Sequence, residues 1–280
     1  MTTIQVITDG SCDLPIVLAE ELGITIVPLS VHFGEECMPP HMELCDFYTK
    51  MKRESELPKT SSPSPLHFLA AYKQARVDQD IVVISLSSGL SSTYCHAVMA
   101  KDMLLEEGFT GKIEVIDSRS ASLGLGVLAY KAAKMVEDHA SFEDIVRELH
   151  QAVANSGTFF FLDTLENVIK GGRLDRVRGA VASVLNIKLL MKASNEGSVE
   201  VIEKIRGTQM ALKKLMEKVG ERAHDFDKDV IAVAHSNCEE RARDFLHQLL
   251  EKYPFRHVLF ANMGTVIGTY AGEGGVLVAY

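Results

Sequence analysis

The chain lacks most of what would mark a metalloprotein, a redox enzyme or a nucleic-acid binder. Its five cysteines, Cys12, Cys37, Cys45, Cys95 and Cys238, are scattered, odd in number and never spaced C-x-x-C. That pattern argues against a zinc or redox site and reads as reduced thiols that mostly serve packing. Ten histidines form no H-E-x-x-H or comparable pair, so no metal site is expected. No uncharged apolar run reaches the ~18 residues that span a bilayer. The opening Met1-Thr2-Thr3-Ile4-Gln5 has no basic region followed by an apolar one, so no signal peptide and a cytoplasmic location are expected. Positive charge is scarce: 29 Lys and Arg face 38 Asp and Glu, a net charge of −9. General nucleic-acid binders draw their affinity from Lys and Arg against phosphate, so that class is disfavoured. No phosphate-cradling G-x-x-x-x-G-K-S/T loop is present.

Apolar content, by contrast, is high. It reaches 46%, and mean hydropathy is +0.07. With no spanning segment, the surplus must lie in a core, a partner interface or a pocket. A length of 280 residues favours two domains.

Up to about residue 155 the pattern alternates strand and helix. Strands are expected at Ile4–Asp9, Ile24–Val31, Asp80–Leu86 and Ile113–Asp117. Helices are expected at Leu14–Leu22, Glu43–Arg53, Leu66–Val77, Thr93–Glu107 and from Ser122 through Asp138. The β-branched run Ile81-Val82-Val83-Ile84 suits a strand covered on both faces. Leu57–Pro65, with three prolines and four hydroxyls, reads as an irregular loop. Ser141-Phe142-Glu143-Asp144 resembles a capping box. Regular alternation implies a parallel sheet with right-handed crossovers. Beyond residue 155 the pattern becomes α+β, with a hairpin turn at Asn195-Glu196-Gly197. The expected fold class is therefore α/β, with a parallel α/β domain over 1–155 and an α+β domain over 156–280.

Four clusters of small hydroxyl and glycine residues sit at the ends of apolar runs. They are Thr8-Asp9-Gly10-Ser11-Cys12-Asp13, Thr60-Ser61-Ser62-Pro63-Ser64-Pro65, Ser87-Ser88-Gly89-Leu90-Ser91-Ser92-Thr93, and the glycine-threonine stretch from Gly264 to Gly272. Ligands of open α/β sheets sit beyond the carboxyl ends of strands, where Ser87–Thr93 falls. Such clusters can gather neutral donors around one buried anion. Each alone is also what ordinary helix capping produces.

Taken in order, these motifs carry a resemblance. Thr8-Asp9-Gly10-Ser11-Cys12-Asp13-Leu14, Thr60-Ser61-Ser62-Pro63-Ser64, Ser87-Ser88-Gly89-Leu90-Ser91-Ser92-Thr93-Tyr94, Val115-Ile116-Asp117-Ser118 with Ala121-Ser122-Leu123-Gly124, and Leu165 with Lys170-Gly171-Gly172-Arg173 resemble successive motifs of the DegV family of bacterial fatty-acid-binding proteins. The resemblance covers almost the whole chain. It implies a two-domain, non-catalytic protein with one long-chain fatty acid in a buried tunnel and no other cofactor. It also implies a partner: a separate ATP-dependent fatty acid kinase that makes acyl phosphate for phospholipid synthesis, with transient contact at a membrane surface.

Position by position, the resemblance puts the carboxylate at Thr60 or Ser61 and Ser91, with Ser88 nearby. It puts the acyl tail along Ala121, Gly124, Gly268 and Thr269. Ala121 and Gly124 read equally well as close helix–strand packing. Arg173 and Arg206 match basic positions suited to docking the kinase or steadying the phosphoryl group. One departure is visible. Where the family usually has a carboxylate-contacting His, this chain has Tyr270. A phenol can donate one hydrogen bond but does not become a cation. Two other readings stay open: a scaffold that retains lipid only for stability, and a serine hydrolase. The second lacks a G-x-S-x-G elbow and a matched histidine.

Overall fold

The computed structural model describes residues 4–39, 42–76, 78–174, 187–222 and 230–280. Four parallel strands, β1 (Ile4–Asp9), β2 (Ile24–Val27), β6 (Asp80–Ser85) and β7 (Ile113–Asp117), form one sheet in the order β2-β1-β6-β7. Alternation along these strands sorts their side chains between two faces. Ile7, Ile81, Val83 and Val115 pack with Phe68, Leu69 and Tyr72 of α3 (Pro65–Tyr72) and Ala97 and Leu104 of α4 (Thr93–Glu106). Val6, Val82, Ile84 and Ile116 face α5 (Leu123–Glu137). Ser141 caps α6 (Phe142–Asn155), its Oγ accepting from Asp144 N at 3.1 Å.

A six-stranded mixed sheet follows. Its strands are β8 (Thr158–Phe161), β9 (Ile187–Ala193), β10 (Val199–Arg206), β11 (Val230–His235), β12 (His257–Asn262) and β13 (Val276–Ala279). Their order is β10-β9-β8-β13-β11-β12, antiparallel except for β11 beside β12. Its outer face is covered by α8 (Thr208–Arg222) and α9 (Glu239–Lys252), through Leu215, Val219, Phe245 and Leu249. Its inner face packs on α5. That helix is held between the two sheets, with nine buried residues running from Leu123 to Ala133. A helix apolar on all sides suits such a place. Close approach also explains Gly126, where a Cβ would meet Cys12 O at 2.7 Å.

The expected single strand Ile24–Val31 is in fact two. Pro28 lacks the N–H that a continuing ladder needs, and the chain leaves the parallel sheet there. Ser30–Phe33 (β3) instead pairs antiparallel with β4 (Glu36–Cys37) and β5 (Lys59–Ser61). The stretch read as irregular loop thus contains an edge strand. Phe47 and Tyr48 of α2 (Leu44–Arg53) pack this small sheet against Val266 of α10 (Thr265–Ala271). Packing accounts for fewer cysteines than expected: Cys12 is buried, whereas Cys37, Cys45 and Cys95 are exposed. The last residue of the expected helix Leu66–Val77 lies outside the described residues. Among those residues no helix is long and apolar enough to cross a membrane, and no cluster of three or more His, Cys, Asp or Glu is arranged for a metal.

Candidate functional site

The parallel sheet's carboxyl-end loops, the inner face of the mixed sheet, β5 and α10 enclose a cavity of about 900 Å³, its open end included. Thr158, Phe160 and Leu162 line it at the two-residue spacing of a strand. Leu277 stands opposite Phe160 on β13, and Ala193 pairs with Val199 across the β9–β10 hairpin. Val266, Ile267, Tyr270 and Ala271 form the α10 wall, one helical face. Among the described lining residues Arg173 is the one with a charge, and none is Asp, Glu or His.

Half-buried Thr60, Ser91 and Tyr270 bring hydroxyls to one part of this wall, with Ser62, Ser92 and Thr93 behind them. Thr60 Oγ1 and Tyr270 Oη share a hydrogen bond of 2.5 Å. Ser91 Oγ bonds Ser62 Oγ and Thr93 Oγ1, each at 2.8 Å, and Ser92 Oγ donates to Ser62 Oγ at 3.0 Å. Ser92 precedes α4 without capping it. The hydroxyls here tie α4 to the Thr60–Pro65 segment instead. His96 Nδ1 and Pro63 O, 2.7 Å apart, make a further tie.

Arg173 stands beside this cluster. Its guanidinium lies over the Tyr270 ring at 4.7 Å, donates from Nε to Leu90 O at 3.3 Å and reaches Gly171 O at 2.5 Å. Gly171 is a glycine because a Cβ there would overlap the Tyr270 ring, 2.6 Å away. A hydroxyl pair joined by one hydrogen bond holds two protons, so one remains to donate. The arrangement therefore offers neutral donors and one fixed cation at the edge of an apolar cavity. It suits an amphiphile with an acidic end.

The sequence model of the DegV family matches residues 3–280. The chain belongs to the DegV family. The Bacillus subtilis protein DegV is 35% identical over 279 residues, which is 97% of this chain and 96% of that relative. A DegV-family crystal structure from Ruminococcus gnavus, refined with vaccenic acid, superposes with a TM-score of 0.92 at 28% identity, covering 100% of both chains. The Streptococcus pneumoniae fatty acid kinase (Fak) B3 protein, loaded with linoleic acid, superposes with a TM-score of 0.86 at 26% identity, covering 99% of each chain. The fold is thus the DegV fold, and its solved structures carry fatty acids as ligands.

Within this DegV-family chain, the residues singled out from sequence divide in two. Thr60, Ser91, Ala121, Arg173 and Tyr270 line the cavity. Ser61, Ser88, Gly124, Gly268, Thr269 and Arg206 are not in its lining. Ser61 neighbours Thr60 on β5 and is exposed, on the opposite face of the strand. Ser88 is also exposed; its N and Oγ are both taken by Asp117, at 3.1 and 2.5 Å. Gly268 makes room for Tyr48, whose Oη a Cβ would meet at 2.6 Å. Thr269 Oγ1 donates to Thr265 O at 2.8 Å. Both lie off the helical face that carries Val266, Ile267 and Tyr270. Gly124 lies behind the wall, where a methyl would overlap Ser120 Oγ and Thr158 Oγ1. Arg206 is exposed on β10.

Ser120, Ser122, Thr158, Phe160, Ser198 and Leu277 line the cavity without having been singled out. The alternation of Thr158, Phe160 and Leu162 was the available signal.

The opening motif builds the support. Asp9 is buried and accepts from Leu86 N at 2.7 Å, Ser11 Oγ at 2.5 Å and Ser85 Oγ at 3.0 Å, joining the ends of β1 and β6. Burial raises its pKa, and those hydrogen bonds act the other way. Asp13 accepts from Ser122 Oγ at 2.5 Å and Gly264 N at 2.8 Å, clipping the first turn of α5 to the loop before α10. Burial pushes Asp13 up to about 7, against the pull of Ser122 and Gly264. Asp13 and Ser122 also hold φ values of 53° and 54°, conformations that cost on the order of 1–3 kcal/mol each.

Proposed function

We propose that this chain binds one long-chain fatty acid in the cavity and presents its carboxylate to a separate ATP-dependent kinase, which forms acyl phosphate. The observation that carries this reading is the junction of apolar cavity and hydroxyl cluster: an aliphatic space ends at Thr60, Ser91 and Tyr270, with Arg173 beside them. A buried carboxylate without donors costs several kcal/mol. Here Thr60, Tyr270 and Ser91 supply neutral donors. Arg173 supplies charge without closing on the carboxylate as a bidentate clamp, because Leu90 O and Gly171 O hold its guanidinium. An acid held so can be handed over. The fatty acids in the related structures support the same ligand class.

The chain acts as the binding subunit, and the transfer chemistry belongs to the kinase. Arg173, from the mouth, steadies the phosphoryl group, and exposed Arg206 meets the kinase. Tail burial supplies most of the affinity, at about 0.8 kcal/mol per methylene, and the polar end sets orientation. The test is lipid extraction from natively purified protein with mass spectrometry, then addition of ATP and a cognate kinase. Recovery of a long-chain acid that becomes acyl phosphate is expected. A lipid that stays bound and unphosphorylated would leave only the scaffold reading, and ester turnover by the chain alone would restore the hydrolase.

A further inference from the structure

The cavity wall carries a second set of hydroxyls that the carboxylate does not need. Ser120, at the loop before α5, and Thr158, at the start of β8, are 3% and 7% exposed, and both line the cavity. Their hydroxyl oxygens are 2.9 Å apart. The two hydroxyls hold two protons, and their shared bond uses one. Neither hydroxyl makes another hydrogen bond among the described residues. One buried O–H donor is therefore left over on the cavity wall, where an unmet donor is costly.

Ser198, also on the wall, repeats the arithmetic. Ser194 Oγ accepts from Glu196 N at 3.3 Å and Ser198 N at 3.1 Å, so its own proton goes to Ser198 Oγ at 3.0 Å. The Ser198 proton is then unassigned among the described residues. Gly124 fits the same picture. Its missing side chain leaves the seat in which Ser120 Oγ and Thr158 Oγ1 meet.

These hydroxyls share no hydrogen bond with the Thr60–Tyr270 and Ser91 cluster. The Ser120–Thr158 pair differs from it in depth and in charge. Thr60, Ser91 and Tyr270 are half-buried beside Arg173, whereas no cation belongs to the Ser120–Thr158 set. Ser122, next in the loop, already donates to the buried carboxyl of Asp13. An anion placed there would find no counter-ion. The deep donors therefore call for a neutral acceptor.

We propose that the tunnel selects acyl chains bearing a keto or hydroxy oxygen along the tail, with the Ser120–Thr158 pair donating to that oxygen. This rests on the fatty-acid reading above and names the class of acid.

The test walks a keto or hydroxy group along octadecanoic acid and measures displacement of a fluorescent fatty acid from delipidated protein, with stearic acid as reference. One position is expected to bind about tenfold more tightly than its neighbours. Ser120→Ala with Thr158→Val removes both partners of the pair and should flatten the profile, the oxygenated acids no longer differing by position when each is referred to stearic acid measured on the same variant. Thr158→Ser keeps the hydroxyl and should keep the preferred position. A wild-type profile with no preferred position overturns the proposal even if stearic acid binds well, and needs no variant to fold. A preference that survives the double substitution overturns it too, and leaves the pair as a tie between the two sheets. Failure of every acid, stearic included, would overturn the fatty-acid reading and this one together.

Discussion

Tyr270→Phe isolates the hydroxyl that pairs with Thr60 at the edge of the cavity. The substitution keeps the ring, so the Arg173 guanidinium 4.7 Å above it and the close packing on Gly171 are retained. What disappears is Oη, now 2.5 Å from Thr60 Oγ1. When a carboxylate is bound, Thr60 and Tyr270 can each turn a proton to it. The variant loses one of those two charge-assisted bonds, about 2 kcal/mol, or roughly thirtyfold in Kd. Affinity is not abolished, because methylene burial at about 0.8 kcal/mol each carries most of it. The assay is competitive displacement from delipidated protein, run for the acid and for its alcohol of equal chain length. The acid should weaken about thirtyfold and the alcohol by severalfold at most, since a neutral headgroup gains less from the same donor. Unchanged acid affinity would remove Tyr270 from the headgroup site. Equal losses for both ligands would mean that Oη shapes the mouth without reading charge.

Gly124→Ala should lower the melting temperature although a helical Gly→Ala change ordinarily adds about 1 kcal/mol; the new methyl overlaps Ser120 Oγ and Thr158 Oγ1, and a stabilised variant would contradict that packing. Stability should fall as pH rises from 3.8 to about 7, because Asp13 keeps a proton in the folded chain that the unfolded chain has released. Asp13→Asn removes the titrating proton, keeps an oxygen to accept from Gly264 N while its amide N–H can only donate toward Ser122 Oγ, and tolerates the positive φ, so denaturation across that range should become flatter; an unaltered slope would put the titration elsewhere. Arg206→Gln should leave fatty-acid Kd unchanged while lowering acyl-phosphate formation with a cognate kinase about tenfold, and unchanged turnover would remove Arg206 from the kinase contact.

Much of the fold was legible because its signals are local. The β-branched run Ile81–Ile84 and the strand–helix alternation around it give a parallel sheet whose loops gather at one end. Hydroxyl clusters at those loops then meet, as Ser91 does with Ser62 and Thr93. What failed was the assignment of side-chain direction inside each motif. Thr60 and Ser61 are adjacent, yet a strand turns one to the cavity and the other to solvent. Tyr270 and Thr269 are adjacent, yet the helical face of α10 carries only the first to the cavity. The small sheet was illegible for another reason: β3 pairs with β5 across 28 or so residues of intervening chain, and no local pattern announces a partner that distant.

The two kinds of polar group found here follow from one constraint. An apolar cavity between two sheets needs those sheets held together without filling the space between them. Asp13 does this from outside the cavity, through Ser122 and Gly264. Ser120 and Thr158 do it on the wall itself, one hydroxyl from each side. A tie made of hydroxyls has one proton more than it uses, so each such tie that faces the cavity is also a donor to whatever lies inside. At the mouth the donor stands next to Arg173 and suits an anion. In the depth it has no cation and suits a neutral oxygen. The same chemistry, placed with or without a neighbouring charge, would separate the end of a bound amphiphile from its middle.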